Sequence, residues 1–290
     1  MRSFCFKNLL VASSGIILLI LLVTSCAQIP SSPKSVEMLS AKLLSIETRS
    51  GVTQEFILIR PSNPVATAIL LGGYGTYQMK SSFGNPTITG KSRVGFLVRS
   101  REGFAKQGLM VAVLNAPSDQ PTEPMMPSFR LTDEHAQDIK ALVSYLRREA
   151  NIPVWLVGIC KGCFSAISGC IQIKEGIDGI VLASCITKRG ERSGIPPAYP
   201  DGILSMDLGR INVPALIAYH KGDKCRATSP LNAPRIKKAL MDSPRAEVRY
   251  FKGGKKPVTG PCQALARHGF YGIEDQVVSA IAEFIKTNSK

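Results

Sequence analysis

The sequence predicts an α/β protein built on a doubly wound, mostly parallel sheet, and three observations carry that expectation. Short, nearly uninterrupted apolar runs recur along the chain, as strands covered on both faces require. Amphipathic helical stretches separate them, and an antiparallel pair opens the series. At 290 residues, 44% hydrophobic and 20% charged, the chain can bury a large core without staples.

Residues 45–48 and 55–60 read as a hairpin turned at Ser50 and Gly51. Residues 66–71 form an apolar run that ends in Gly72-Gly73-Tyr74-Gly75. Further strands are expected at 110–114, 154–157, 179–183, 215–219 and 247–251. Thr132 is placed to cap a helix with Asp133 and Glu134 in its first turn and Ile139, Leu142, Val143 and Leu146 on one face. The last helix starts near Glu274 and Asp275 and carries Val277, Val278, Ile281 and Ile285 on one stripe.

The first residues read as a targeting segment rather than as part of the fold. Arg2 and Lys7 precede an apolar run at 9–23, broken by Ser13, Ser14 and Gly15, and Val23-Thr24-Ser25-Cys26 follows. This resembles the lipobox of bacterial lipoproteins. The resemblance implies a signal peptide at 1–25, cleavage before Cys26 and a lipid on that cysteine. Ala27 in the next position implies sorting to the outer membrane, on the periplasmic side of the cell envelope. Pro30, Ser31, Ser32 and Pro33 make 26–40 a tether, and one domain is expected over 41–290. Such cleavage lowers the formal net charge from +15 to +13. No nucleic-acid-binding module or long basic run accompanies that charge, so it reads as a basic proteome or contact with anionic envelope surfaces, and no nucleic-acid partner is expected. The expected partners are a small-molecule substrate and the membrane, through the N-terminal lipid.

Residues 155–162, Trp-Leu-Val-Gly-Ile-Cys-Lys-Gly, place G-x-C-x-G where a buried strand meets a helix. G-x-S-x-G in that context is the nucleophile elbow of the α/β-hydrolases. Cys160 then occupies the nucleophile position, at a helix N-terminus that favours a thiolate. The N–H of Lys161 faces the oxyanion site. Of three histidines, only His268 follows the chain order nucleophile, acid, base. Asp223, just after the strand at 215–219, is the expected acid, ahead of Asp201 and Asp207. Gly73 or Tyr74 supplies the second oxyanion donor, and the sequence leaves the choice open.

From about residue 55 to 285 the chain resembles exported α/β-hydrolases with a V-W-L-V-G-T-S-R-G-T elbow. The likeness includes Phe96-Leu97-Val98-Arg99-Ser100-Arg101, Asn115-Ala116-Pro117-Ser118-Asp119 and His268-Gly269-Phe270-Tyr271-Gly272. It implies the α/β-hydrolase fold in a single domain and the positions of the triad. The chain departs from that pattern where serine becomes Cys160, arginine Lys161 and threonine Cys163. A cysteine elbow is similar to that of dienelactone hydrolase, a Cys-His-Asp enzyme. The resemblance also implies a Cys225–Cys262 disulfide between the acid and base loops.

The expected activity is hydrolysis of a carboxylic ester, thioester or lactone of small size, with no metal and no organic cofactor. Lys80, Lys91, Arg93, Arg99, Arg101, Lys188, Arg189, Arg192, Arg210 and Lys221 fall in loops expected over the sheet's C-terminal edge, compatible with an anionic substrate. Two other readings stay open. One is a hydrolase-fold binding lipoprotein without catalysis. The other is a thiol-redox protein that uses Cys160 and Cys163, a CxxC pair at a helix start.

Overall fold

The chain's first described element is a hairpin of β1 (Ser40–Arg49) and β2 (Val52–Arg60), turned at Gly51 with φ 71°. It belongs to a computed structural model that describes residues 39–121, 124–191 and 193–289. The expected signal at 1–25, Cys26 and almost all of the tether lie outside the described residues. No helix among the described residues is long and apolar enough to cross a membrane.

The strands after the hairpin are β3 (Ala66–Leu71), β4 (Gln78–Ser82), β5 (Asn85–Thr89), β6 (Leu109–Pro117), β7 (Val154–Ile159), β8 (Gly179–Ala183), β9 (Ala215–His220) and β10 (Ala246–Phe251). Eight of them form one sheet in the order β1-β2-β6-β3-β7-β8-β9-β10, while β4 and β5 pair separately. The pairs β1/β2 and β2/β6 are antiparallel, and every other pair in the large sheet is parallel. The expected fold class is therefore the observed one, a mostly parallel sheet in a single domain.

Helices cover both faces. On one lie α3 (Asp133–Glu149), α4 (Gly162–Gln172) and α5 (Ala233–Ala239). On the other lie α1 (Phe96–Arg99), α2 (Arg101–Lys106) and α6 (Glu274–Thr287). Strand alternation sorts side chains between the two layers. Ile69 and Leu156 join the α3/α4 layer, and Leu70, Trp155 and Val157 join the α1/α6 layer. Covered faces explain why β3, β7, β8 and β9 read as continuous apolar runs: every residue in them is buried.

Thr132 caps α3 by accepting the His135 N–H at 3.3 Å. Arg49 forks onto the buried Asp138 carboxylate, Nε at 2.8 Å and Nη2 at 3.0 Å, and ties the opening hairpin to α3. The short helices α1, α2 and α5 and the β4/β5 hairpin were not predicted. Helices of four to seven residues hold too few turns for a periodic stripe. β4 is almost wholly polar and mostly exposed, so no apolar alternation marks it.

Candidate active site

At the end of β7 the chain reverses sharply into α4. Cys160 sits at the reversal with φ 55°, a left-handed conformation that costs a residue with a Cβ. The flanking glycines make the turn fit. A Cβ on Gly162 would fall 1.8 Å from the Leu71 carbonyl oxygen, and one on Gly158 would fall 2.7 Å from that of Gly162. Helix, nucleophile strand and β3 meet at distances that only bare backbone allows. Cys160 is thereby held clear of the sheet edge, at the first turn of α4.

Loops after β3, β9 and β10 bring the other groups to it. His268 lies in a short helical turn before α6, and its Nδ1 is 3.1 Å from Asp223 Oδ2. Asp223 follows β9; its other oxygen accepts the Cys225 N–H at 2.9 Å. Thr228 Oγ1 donates to Asp223 Oδ2 at 2.9 Å and lies 3.1 Å from His268 Nδ1. The acid and base are thus locked together by a third side chain. Ser184, itself at φ 41°, donates to the His268 carbonyl at 2.9 Å and fixes the backbone of the base loop. Cys225 and Cys262 form a disulfide across 37 residues, which joins the acid loop to the base loop and restricts the unfolded chain.

The electrostatics follow from that packing. Burial alone pushes the Cys170 thiol up to about 12. Burial acts on Cys160 in the same direction, yet its thiol is held below the ordinary value. The charge and hydrogen bond of His268, then the N–H and charge of Lys161, outweigh it. Burial works against a charged His268, but the Cys160 charge and the hydrogen bond to Asp223 push it up to about 10. The two groups favour a thiolate–imidazolium pair.

Cys160 opens into a cavity of about 270 Å³ lined in part by Gly73, Tyr74, Phe96, Lys161, Gln263 and His268. A Cβ on Gly73 would lie 3.4 Å from that of Cys160, so the loop after β3 runs beside the nucleophile. Arg130 braces this loop from behind. Its guanidinium is 1% exposed and donates to the Gly73 carbonyl at 3.1 Å and to Ser165 Oγ at 3.0 Å. Its Nε has no partner, and no carboxylate pairs with it among the described residues. Burial lowers its pKa to about 10, with Tyr77, Cys160 and Cys163 acting the other way. In a trans peptide the N–H of Tyr74 points opposite to the Gly73 carbonyl, hence away from Arg130.

All the residues singled out around the elbow therefore meet: Cys160, Lys161, Gly73, Tyr74, Asp223 and His268. The other histidines do not. His135 is buried against Ser165 Oγ at 2.8 Å, and burial with Arg130 and Arg49 nearby lowers its pKa to about 3. His220 accepts the Gly222 N–H and meets the Gly253 carbonyl. Asp201 is exposed, 4.0 Å from Arg235. Cys163 is fully buried and its Sγ donates to the Ala183 carbonyl at 3.4 Å. No cluster among the described residues could hold a metal ion.

The expected gathering of cations needs correction. Lys91 and Arg93 line a cleft that shares Tyr74, Gln263 and Ala264 with the Cys160 cavity. Arg99 instead bonds Glu274 and the carbonyls of Val94 and Gly269, and so braces the base loop. Arg101 and Arg210 donate to the Val98 and Ile171 carbonyls. Lys188 and Arg189 line a separate cleft, Lys80 lies on β4, Lys221 borders another cleft, and Arg192 is outside the described residues. Thr228 and Arg130 escaped the sequence reading, because nothing in their local pattern says that the chain folds back onto the triad.

No family model matches the sequence, and no curated protein matches it. Solved structures do. An esterase from Pyrococcus furiosus is 18% identical with a TM-score of 0.60, covering 86% of this chain and 93% of that one. A cold-adapted esterase from an Arctic intertidal metagenomic library is 12% identical with a TM-score of 0.57, covering 91% and 100%. Dienelactone hydrolase from Anabaena variabilis is 12% identical with a TM-score of 0.55, covering 87% and 100%.

The fold is that of the α/β-hydrolases. In this α/β-hydrolase fold the elbow after β7 and the loops after β3, β9 and β10 meet at the C-terminal edge of the sheet, where open parallel sheets bind ligands.

Proposed function

We propose that this protein is a cysteine hydrolase acting on a small carboxylic ester, thioester or lactone. The observation that carries the reading is the meeting of Cys160 and His268 on one cavity, with Asp223 Oδ2 3.1 Å from His268 Nδ1. Cys160 Sγ attacks the carbonyl carbon, and the carbonyl π electrons move onto oxygen. The N–H groups of Lys161 and Tyr74 hold that oxyanion; the Arg130 contact to the Gly73 carbonyl favours Tyr74 over Gly73 as the second donor. The C–O or C–S bond to the leaving group breaks as His268 gives it a proton. Water then attacks the acyl thioester while His268 takes its proton, and the thiolate departs as the acid forms. Asp223 and Thr228 keep His268 in place throughout.

The test is turnover of short p-nitrophenyl esters under reducing conditions by wild type and Cys160→Ala. Wild-type turnover lost in the variant is the expected result. No turnover with short acyl esters, thioesters or lactones would overturn the reading and favour a binding protein. The proposal includes a lipid on Cys26 and an outer-membrane location, in keeping with the lipobox resemblance. The mass of the N-terminal peptide from membrane-extracted protein checks this: a diacylglyceryl Cys26 is expected, and an unmodified one refutes it.

A further inference from the structure

A second cleft, about 540 Å³ in volume and roomier than the cavity into which Cys160 opens, lies on the other side of the segment that carries His268. Residues 259–268 form the partition: Cys262, Gln263, Ala264 and His268 line the Cys160 cavity, and Thr259, Pro261, Ala266 and Arg267 line the second cleft. The acid loop contributes its other wall, through Lys221, Gly222 and Lys224, with Lys252 and Gly253 after β10.

The chemistry of this cleft is one-sided. Lys221, Lys224, Lys252 and Arg267 line it, Lys221 with its ammonium over the Tyr250 ring, and no carboxylate does. His220 adds no acceptor, since one ring nitrogen takes the Gly222 N–H and the other meets the Gly253 carbonyl. Arg267 is part-buried; its Nη1 is enclosed with no hydrogen-bond partner, and so is Thr259 Oγ1 in the same wall. The Arg267 side chain makes no hydrogen bond or ion pair among the described residues, and with Nη1 enclosed it is the remaining edge of the guanidinium that a ligand in the cleft would meet. Glycines 222 and 253 leave bare backbone in the wall, room for a ligand to come close.

We propose that this cleft is a binding site for an oxyanion, a phosphate, sulfate or carboxylate group, with Arg267 as its main anchor. Arg267 presents a planar fork suited to two oxygens, and Lys224 and Lys252 supply charge from the acid loop and the β10 exit. The anion is free in solution or carried by a larger acidic molecule that fills the rest of the cleft. The site is separate from the Cys160 cavity and stands whether or not the protein is a hydrolase.

The experiment is calorimetric titration of the intact protein with inorganic phosphate, at ionic strength held constant with sodium chloride. Saturable binding is expected in the wild type, weakened about tenfold or more in Arg267→Gln, the scale of a charged hydrogen bond. The double variant Lys224→Gln/Lys252→Gln leaves the partition intact and is expected to weaken binding in the same direction. Lys286→Gln, on α6 away from the cleft, is expected to bind as wild type does. Titration with glucose 1-phosphate separates the two sources: tighter binding than phosphate assigns a carried anion, and equal binding a free one. Absence of saturable binding of both, or equal affinity in all variants, would overturn the proposal.

Discussion

His268→Ala is expected to lower kcat/KM for ester hydrolysis by about a thousandfold or more. In the wild type, burial raises the Cys160 thiol, and the charged His268 beside it, together with the N–H and charge of Lys161, more than reverses that rise. Without the imidazolium, only Lys161 still opposes burial, and Cys160 moves up toward the behaviour of Cys170, at about 12. The variant also loses the proton donor to the leaving group and the base that activates water. The pH dependence carries the sign. Cys160 is depressed, so the pair is present above its lowered value and lost as pH falls through it. His268 is raised, so the pair persists past the ordinary histidine range and is lost as pH climbs through about 10. Stability follows the same window. The imidazolium's contribution is complete below the unfolded histidine value and disappears near pH 10, and that of the thiolate disappears on acidification. Alkylation of Cys160 by iodoacetamide, followed against pH by mass, reads this without any substrate. Its midpoint is expected below the ordinary thiol value in wild type and well above it in His268→Ala; identical midpoints would refute the ion pair.

How far the site could be read ahead of the fold depends on where each residue's constraint resides. Cys160, Gly158 and Gly162 were legible because the elbow is local: strand, left-handed residue and helix start follow within a few positions, and the glycines are demanded by contacts at 1.8 and 2.7 Å. Asp223 and His268 were legible through chain order, since each follows a recognisable strand. Thr228 was not. Its hydroxyl meets His268 Nδ1 across a separation of 40 residues, and a threonine in a loop after a strand has no pattern of its own. The cations illustrate the opposite error. Arg99 was placed at the mouth from its loop position, whereas a part-buried guanidinium finds fixed acceptors first. It lies 2.9 Å from Glu274 and bonds the Gly269 carbonyl. Position along the chain predicts which end of the sheet a residue reaches, but not whether its charge is already spent on the protein.

Arg130→Met is expected to cut kcat by about a hundredfold with little change in KM, the scale of losing one oxyanion donor. The residue touches no substrate; it is a positioning residue that acts through the peptide joining Gly73 to Tyr74. Its Nη2 fixes the Gly73 carbonyl on the buried side, which turns the Tyr74 N–H the other way. Gly75, at φ 75°, lets the loop pass the guanidinium, since a Cβ there would fall 2.3 Å from Arg130 Nη2. Methionine fills much of the volume but leaves the Gly73 carbonyl and Ser165 without that donor, and the loop is free to rotate. The arginine also places a cation near Cys160, and Arg130→Lys separates the two roles. An ammonium keeps the charge, so alkylation of Cys160 at neutral pH is expected to recover toward wild type. It cannot bond Gly73 and Ser165 with the same planar fork, so turnover is expected to recover only in part. A merely structural arginine would lower the amount of folded protein and leave kcat per reactive Cys160 unchanged. Titrating Cys160 in each preparation and normalising kcat to it decides between the two: an unchanged normalised kcat in Arg130→Met would remove Arg130 from the oxyanion site.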